Sequence, residues 1–212
     1  MVLEVKGRVE AVEGNQQKLE VKLLLLGANS VGKSALTVRF LTRRFISEYG
    51  DIESVNSRVE RIHGQEVCFN VWDSLYTQDC EKIPSVSDKQ LQWADGIILV
   101  YSICDHQSFD VVRQQLQHIR RCRKSIPVVI VANKRDLWRH RSVSDEEGCL
   151  LAQSQSCSFF EVSAAETFHG VLLVFHHLFD LIRESRVLRK SSAGMQGIVR
   201  SMSAVFWKKR AE

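Results

Sequence analysis

No stretch of this chain approaches the roughly 20 consecutive apolar residues that cross a bilayer, which excludes a helical membrane span. Prolines number only two, Pro84 and Pro127, and no low-complexity tract occurs, so a linker-rich or disordered body is excluded. The six cysteines (68, 80, 104, 122, 149 and 157) contain no CxxC pair, which argues against a zinc ribbon or a dithiol redox centre. Several sit in apolar surroundings, Cys68 and Cys104 among them, and reduced, mostly buried thiols of the cytosol or nucleus are expected. Residues 1–22 are charged throughout and show no secretory leader. Met1-Val2 rules out N-myristoylation, and Arg210-Ala211-Glu212 is not a CaaX box. The expected location is cytoplasmic, with the nucleus or transient membrane contact as alternatives. No Ser–His–Asp or Cys–His spacing marks a nucleophile, and His176 and His177, being adjacent on a helix, face apart and make a poor zinc pair.

What is present is a body and a tail of different charge. Residues 183–212 hold eight Lys/Arg against two Asp/Glu, which leaves 21 basic and 23 acidic residues in the rest. A near-neutral body with a basic tail predicts an acidic surface as the tail's partner and argues against a nucleic-acid-binding core. In the tail, Met195, Ile198, Val199, Met202 and Phe206 recur at helical spacing, followed by Trp207 and Lys208-Lys209-Arg210. That pattern suits an interfacial helix or a groove-binding peptide, while Gly194, Gly197 and the serines oppose it, so docking, packing back and disorder all stay open. Arg120-Arg121-Cys122-Arg123-Lys124 reads as a solvated helix end.

At 44% hydrophobic content the chain has enough apolar material for one sizeable core. Apolar runs of strand length occur at Leu23–Leu26, Val67–Trp72, Gly96–Ile103 and Pro127–Ala132, with a weaker one at Ser158–Val162. The middle runs are continuous, as in strands covered on both faces. Helix-period stretches lie between them at Lys33–Thr42, Val111–Arg120, Ser144–Ala152 and Val171–Ile182. The third opens with Ser144 and Glu147 spaced as a capping box. Alternation of this kind predicts an α/β domain over residues 19–186, a mostly parallel sheet with helices on both faces, plus extensions at 1–18 and 187–212. In such sheets ligands bind at the carboxyl ends of the strands.

The first of those ends carries Gly27-Ala28-Asn29-Ser30-Val31-Gly32-Lys33-Ser34, a match to GxxxxGK[ST], with Ala35 opening the helix behind it. Two glycines let successive N–H groups turn toward phosphate oxygens, Lys33 supplies a cation for the terminal phosphates, and the Ser34 hydroxyl suits Mg²⁺. Asn133-Lys134-Arg135-Asp136 follows the buried run 128–131. Guanine offers an N1–H and a 2-amino group side by side, and the Asp136 carboxylate has two acceptors to match. Lys134 is expected along the base plane, and Asn133 to tie this loop to the phosphate loop. Glu161-Val162-Ser163-Ala164-Ala165 forms a third loop, in which the Ala164 N–H suits guanine O6.

With these three motifs the chain resembles the Ras superfamily of small GTPases over roughly Leu19 to Arg186. Gly32 to Tyr49 looks most like the Ras-like oestrogen-regulated growth-inhibitor branch, and the basic tail without a lipidation cysteine agrees. The resemblance implies a three-layer P-loop NTPase fold with a six-stranded sheet. GTP/GDP and Mg²⁺ are the implied ligands, and the implied protein is a signalling monomer with effectors and regulators still to be identified. It also implies that Phe45 packs on the guanine and that Asp73 holds Mg²⁺ through water.

Four positions depart from the family's pattern. The switch threonine that ligates Mg²⁺ has no counterpart, and family spacing puts Asp51 in its slot, a carboxylate beside phosphate oxygens. Tyr76 stands where the DxxG glycine would let the backbone approach the terminal phosphate. Thr77 replaces the water-orienting glutamine, with Gln78 one residue later, and Asn29 adds a side chain on the path of an incoming arginine finger. Base and β-phosphate recognition are untouched, so the expectation is guanine-nucleotide binding with slow hydrolysis. The alternative is an interaction module that has lost the switch.

Overall fold

In the computed structural model the described residues are 18–46, 53–74 and 86–208, with side chains described as far as Arg189. The chain runs β1 (Leu19–Leu26), α1 (Lys33–Thr42), β2 (Ser54–Ile62), β3 (Gln65–Asp73), α2 (Asp88–Trp93) and β4 (Gly96–Ser102). It continues through α3 (His106–Cys122), β5 (Val128–Asn133), a 3₁₀ turn (Arg135–His140), α4 (Asp145–Ser154), β6 (Ser158–Glu161) and α5 (Phe168–Lys208). The six strands lie in the order β2-β3-β1-β4-β5-β6. Only the β2–β3 pair is antiparallel. This is the expected three-layer α/β fold of P-loop NTPases.

Strand β1 shows why the central strands read as unbroken apolar runs. Val21, Leu23 and Leu25 pack with α1 and α5, including Leu36, Phe40, Phe175 and Leu178. Leu24 and Leu26 point the other way, into a second cluster with Leu91 of α2, Val112 and Leu116 of α3 and Ala152 of α4. Alternate residues of one strand thus serve two cores, and from Leu23 to Leu26, where both faces are covered, every position is apolar. The stripe predicted on the last helix is fully buried at Val171, Val174, Phe175, Leu178 and Ile182. The capping box forms as read: Ser144 Oγ accepts from Glu147 N at 3.2 Å, and Glu147 Oε2 accepts from Ser144 N at 2.9 Å.

Two elements had no apolar signature. Strand β2 is an edge of the sheet, alternating between exposed and half-buried positions. Ser54, Asn56, Arg58 and Glu60 take the half-buried side while Val55 and Val59 are exposed, so no apolar face marks it. Its hairpin to β3 turns on His63 and Gly64, both at positive φ (50° and 81°), the geometry of a tight two-residue turn. Helix α2 is too short for a periodicity signal, though Ser87 and Gln90 cap it as Ser144 and Glu147 cap α4.

Other expectations need correction. Of the five described cysteines, all free, only Cys68 is buried; Cys104, Cys149 and Cys157 are partly covered and Cys122 is exposed. The basic run ending α3 is not simply a solvated helix end. Arg120 donates to the Ile126 and Gln155 carbonyls, and Arg123 to those of Leu91 and Ala94, so two of its four cations fasten the segments before β5 and β6 and the end of α2. The backbone of α5 continues as helix past Arg186 to Lys208. No described helix is long and apolar enough to cross a membrane.

Candidate functional site

The carboxyl ends of β1, β3, β5 and β6 bring the motifs to one edge of the sheet. After β1, Gly27 adopts φ 143°, and a Cβ built on it would lie 2.1 Å from the Val100 carbonyl oxygen of β4. Gly32 has φ 96°, and its Cβ would meet the Asn133 carboxamide nitrogen at 2.3 Å. Both positions are restricted to glycine, once by backbone conformation and once by what crosses over them. Between them Ser30 takes a left-handed φ of 59°, completing the coil that ends where α1 begins.

Asn133 holds the arrangement together. Its side chain is buried, donating through Nδ2 to the Val31 carbonyl at 2.9 Å and accepting at Oδ1 from the Ala164 N–H at 3.2 Å. The bond to Val31 ties the 133–136 loop to the phosphate loop, as expected from sequence, and the bond from Ala164 adds the third loop to the same carboxamide. The Ala164 N–H assigned to guanine O6 is engaged by Asn133 here. Lys134, in the left-handed region at φ 66°, extends its ammonium to the Ser30 carbonyl at 2.6 Å, spanning the two loops. Ser163 Oγ donates to Asp136 Oδ1 at 2.6 Å and accepts from Glu166 N at 3.1 Å, fixing the half-buried carboxylate.

On the phosphate side, the buried Lys33 ammonium donates to the Gly27 and Ala28 carbonyls at 3.1 and 2.8 Å. Asp73, at the end of β3, is buried beside Ser34 and Lys33. Burial raises its carboxyl pKa above the usual range, opposed by the Ser34 hydroxyl hydrogen bond and the Lys33 charge. A hydroxyl and a carboxylate side by side form an oxygen donor pair suited to Mg²⁺. The two glycines mark a cradle that a Cβ would fill, as close approach of phosphate requires. Ser74 Oγ fastens the end of β3 by donating to the Leu25 carbonyl at 2.8 Å.

Asn29 and Ser30 are exposed on the rim, and Phe45 is 43% exposed after α1. Ala35 is buried behind the loop and Ala165 is exposed. Asp51, Tyr76, Thr77 and Gln78 lie outside the described residues.

Two residues escaped the sequence reading. Arg39 reaches from α1 to the Ala165 and Glu166 carbonyls at 3.4 and 3.0 Å. Glu53 Oε1 accepts from the Trp72 indole at 2.6 Å and from Gln90 Nε2 at 3.3 Å, linking the start of β2 to β3 and α2. Neither belongs to a motif, and pairs 19 to 127 residues apart leave no local signal.

The model of the Ras family matches residues 22–184. The chain belongs to the Ras family. It is similar to Ras-like protein family member 11B of Danio rerio, 41% identical over 164 residues, which cover 74% of this chain and 67% of that protein. It is also similar to Ras-like protein family member 11A of Rattus norvegicus, 41% identical over 167 residues, covering 75% of this chain and 69% of the relative. For Ras-like protein family member 12 of Homo sapiens the figures are 40% over 188 residues, 86% and 68%. The matched span of this Ras-family chain begins within β1 and ends within α5, so it takes in all three site loops.

Proposed function

We propose that this Ras-family protein binds GTP and GDP together with Mg²⁺, hydrolyses GTP slowly, and discriminates weakly between the two nucleotides while acting in signal transduction. The observation that carries the reading is the Asn133 bridge. It brings a phosphate-type loop and a guanine-type acceptor, Asp136, to fixed positions beside one another. Lys33 and the loop amides of Gly27–Ala35 would hold the phosphates. Ser34 and, through water, Asp73 would hold Mg²⁺, which when bound supplies charge neutralisation at the phosphate oxygens. Asp136 would accept from guanine N1–H and the 2-amino group, with Phe45 and the Lys134 stem against the base faces and the Ser163–Ala165 backbone along its edge.

Slow turnover follows from what stands at the four departing positions. Asp51 in place of a threonine, Tyr76 in place of glycine, and Thr77 with Gln78 in place of the water-orienting glutamine remove sensing and activation at the terminal phosphate. Asn29 adds bulk on the exposed rim. Single-turnover hydrolysis of GTP by the purified protein tests this. The reading predicts a rate well below that of an ordinary small GTPase, and an ordinary rate would sink it.

A second reading, an interaction module with lost or blunted switching, is favoured by one observation. The loop is already satisfied internally, with Lys33 on its own carbonyls and Ala164 N–H on Asn133. We also place the chain near the oestrogen-regulated growth-inhibitor branch, on the stretch Gly32–Tyr49. The domain is assigned to residues 19–186, acting as a cytoplasmic monomer with protein effectors. The basic segment 187–212, over which α5 runs as far as Lys208, is assigned to reversible contact with an acidic membrane or protein surface.

A further inference from the structure

The loop Ser163–Glu166 is held from three directions. Asn133 Oδ1 takes the Ala164 N–H, and Asp136 Oδ1 takes the Ser163 hydroxyl; both anchors belong to the segment after β5. The third anchor comes from a different element. Arg39, on the α1 helix that starts at Lys33, donates through Nη2 to the Glu166 carbonyl at 3.0 Å and the Ala165 carbonyl at 3.4 Å. Its other terminal nitrogen donates to the Arg43 carbonyl at 3.3 Å, where α1 ends in a left-handed residue. Nε has no partner, so the planar fork is committed at its tip, with one arm on its own helix end and one on the loop. The exposed Arg135–Glu166 pair at 3.4 Å is a weaker restraint on the same loop.

We propose that Arg39 is a positioning residue for base recognition. It locks the loop that orients Asp136 to the helix that carries Lys33 and Ser34, so the base-side and phosphate-side halves of the site keep one fixed separation. The proposal rests on the nucleotide-binding reading above. The chain of contacts is continuous: Arg39 to the Ala165 and Glu166 carbonyls, Glu166 N to Ser163 Oγ, and Ser163 Oγ to Asp136 Oδ1. Removing the guanidinium frees the loop's outer side and lets Ser163 swing away from Asp136, loosening the carboxylate that reads the guanine 2-amino group. Lysine at this position keeps the charge and the helix, but it is a point donor without the fork that serves two elements at once.

The test compares wild-type full chain with Arg39→Lys and Arg39→Ala. Amide hydrogen exchange of residues 163–167 is followed in nucleotide-free protein, and the GDP to IDP affinity ratio in loaded protein. IDP lacks the 2-amino group, so the ratio reads Asp136 alone. Arg39→Lys is expected to leave Tm within about 2 °C of wild type, speed exchange of the loop about tenfold, and cut the GDP preference about fivefold. A role confined to helix stability would lower Tm and raise exchange throughout α1, leaving the loop no faster than its surroundings and the ratio unchanged; that result overturns the proposal. If wild type binds no GDP, the functional reading falls by itself. The exchange rates then decide whether Arg39 positions the loop.

Discussion

Replacing Asn133 with alanine strips both hydrogen bonds from the bridge and leaves the Val31 carbonyl and the Ala164 N–H buried with no partner from that side chain. An orphaned buried polar group costs about 1–3 kcal/mol, so the two together put the loss near 3 kcal/mol. For a chain of this size that corresponds to a fall of about 6–12 °C in Tm. The bridge also makes a second, sharper demand. A Cβ on Gly32 would collide with Asn133 Nδ2 at 2.3 Å, so Gly32→Ala must be partly relieved when the carboxamide is gone. Thermal and urea unfolding of both single mutants and the double mutant, without nucleotide, measures this coupling. The double mutant should be at least about 1 kcal/mol more stable than additivity predicts, with the remaining cost set by the positive φ at Gly32. A Tm loss below about 2 °C for Asn133→Ala, or strict additivity, would refute the bridge as the element that organises the site.

Asp73 has its pKa raised by burial, so its charged form is destabilised by folding. A raised folded-state value means stability is fullest below the ordinary carboxylate pKa and declines as pH rises through the folded value. Asp73→Asn should therefore raise Tm of the nucleotide-free protein at pH 7. The gain should shrink toward pH 4, while Mg²⁺-dependent nucleotide affinity falls; scanning calorimetry and titration check both. Asp136→Asn should shift preference from guanine toward xanthine nucleotides, read by competition binding, and an unchanged preference would remove Asp136 from the site. Ser144→Ala should cost about 1 kcal/mol by removing the α4 cap, measured by urea unfolding. The Ser144 backbone N–H and hydroxyl hold the Glu147 carboxyl below its usual pKa. The hydroxyl's share of that contribution is present above the ordinary value and lost as pH falls. The gap between wild type and mutant should therefore narrow in acid without closing, because the Glu147 N to Ser144 Oγ bond does not titrate.

The legible parts of this protein were those where local chemistry repeats. Leu23–Leu26 and the run ending at Asn133 had to be apolar on both faces, and the Val171–Ile182 stripe had to face one core, so their elements could be read directly. Gly27 and Gly32 could be read because the phosphate pattern demands positive φ and close approach at fixed spacing. Strand β2 was hidden because an edge strand needs no buried side chain. Its Ser-Val-Asn-Ser-Arg sequence is stabilised by pairing with β3, which only the fold supplies. Arg120 and Arg123 looked solvated because their partners are backbone carbonyls of distant loops, invisible to any charge pattern. Arg39 was hidden for the same reason. A bond to a carbonyl more than a hundred residues away constrains neither neighbour in sequence.

The central claim is guanine-nucleotide binding at the Asn133-bridged site. Nucleotide-stripped protein, titrated with fluorescent GDP and a non-hydrolysable GTP analogue in Mg²⁺, with ATP and ADP as competitors, tests it most directly. The account predicts saturable binding of both guanine nucleotides with similar affinity, untouched by the adenine competitors and abolished by Lys33→Ala. No binding of either guanine nucleotide, or displacement by ATP, would contradict it.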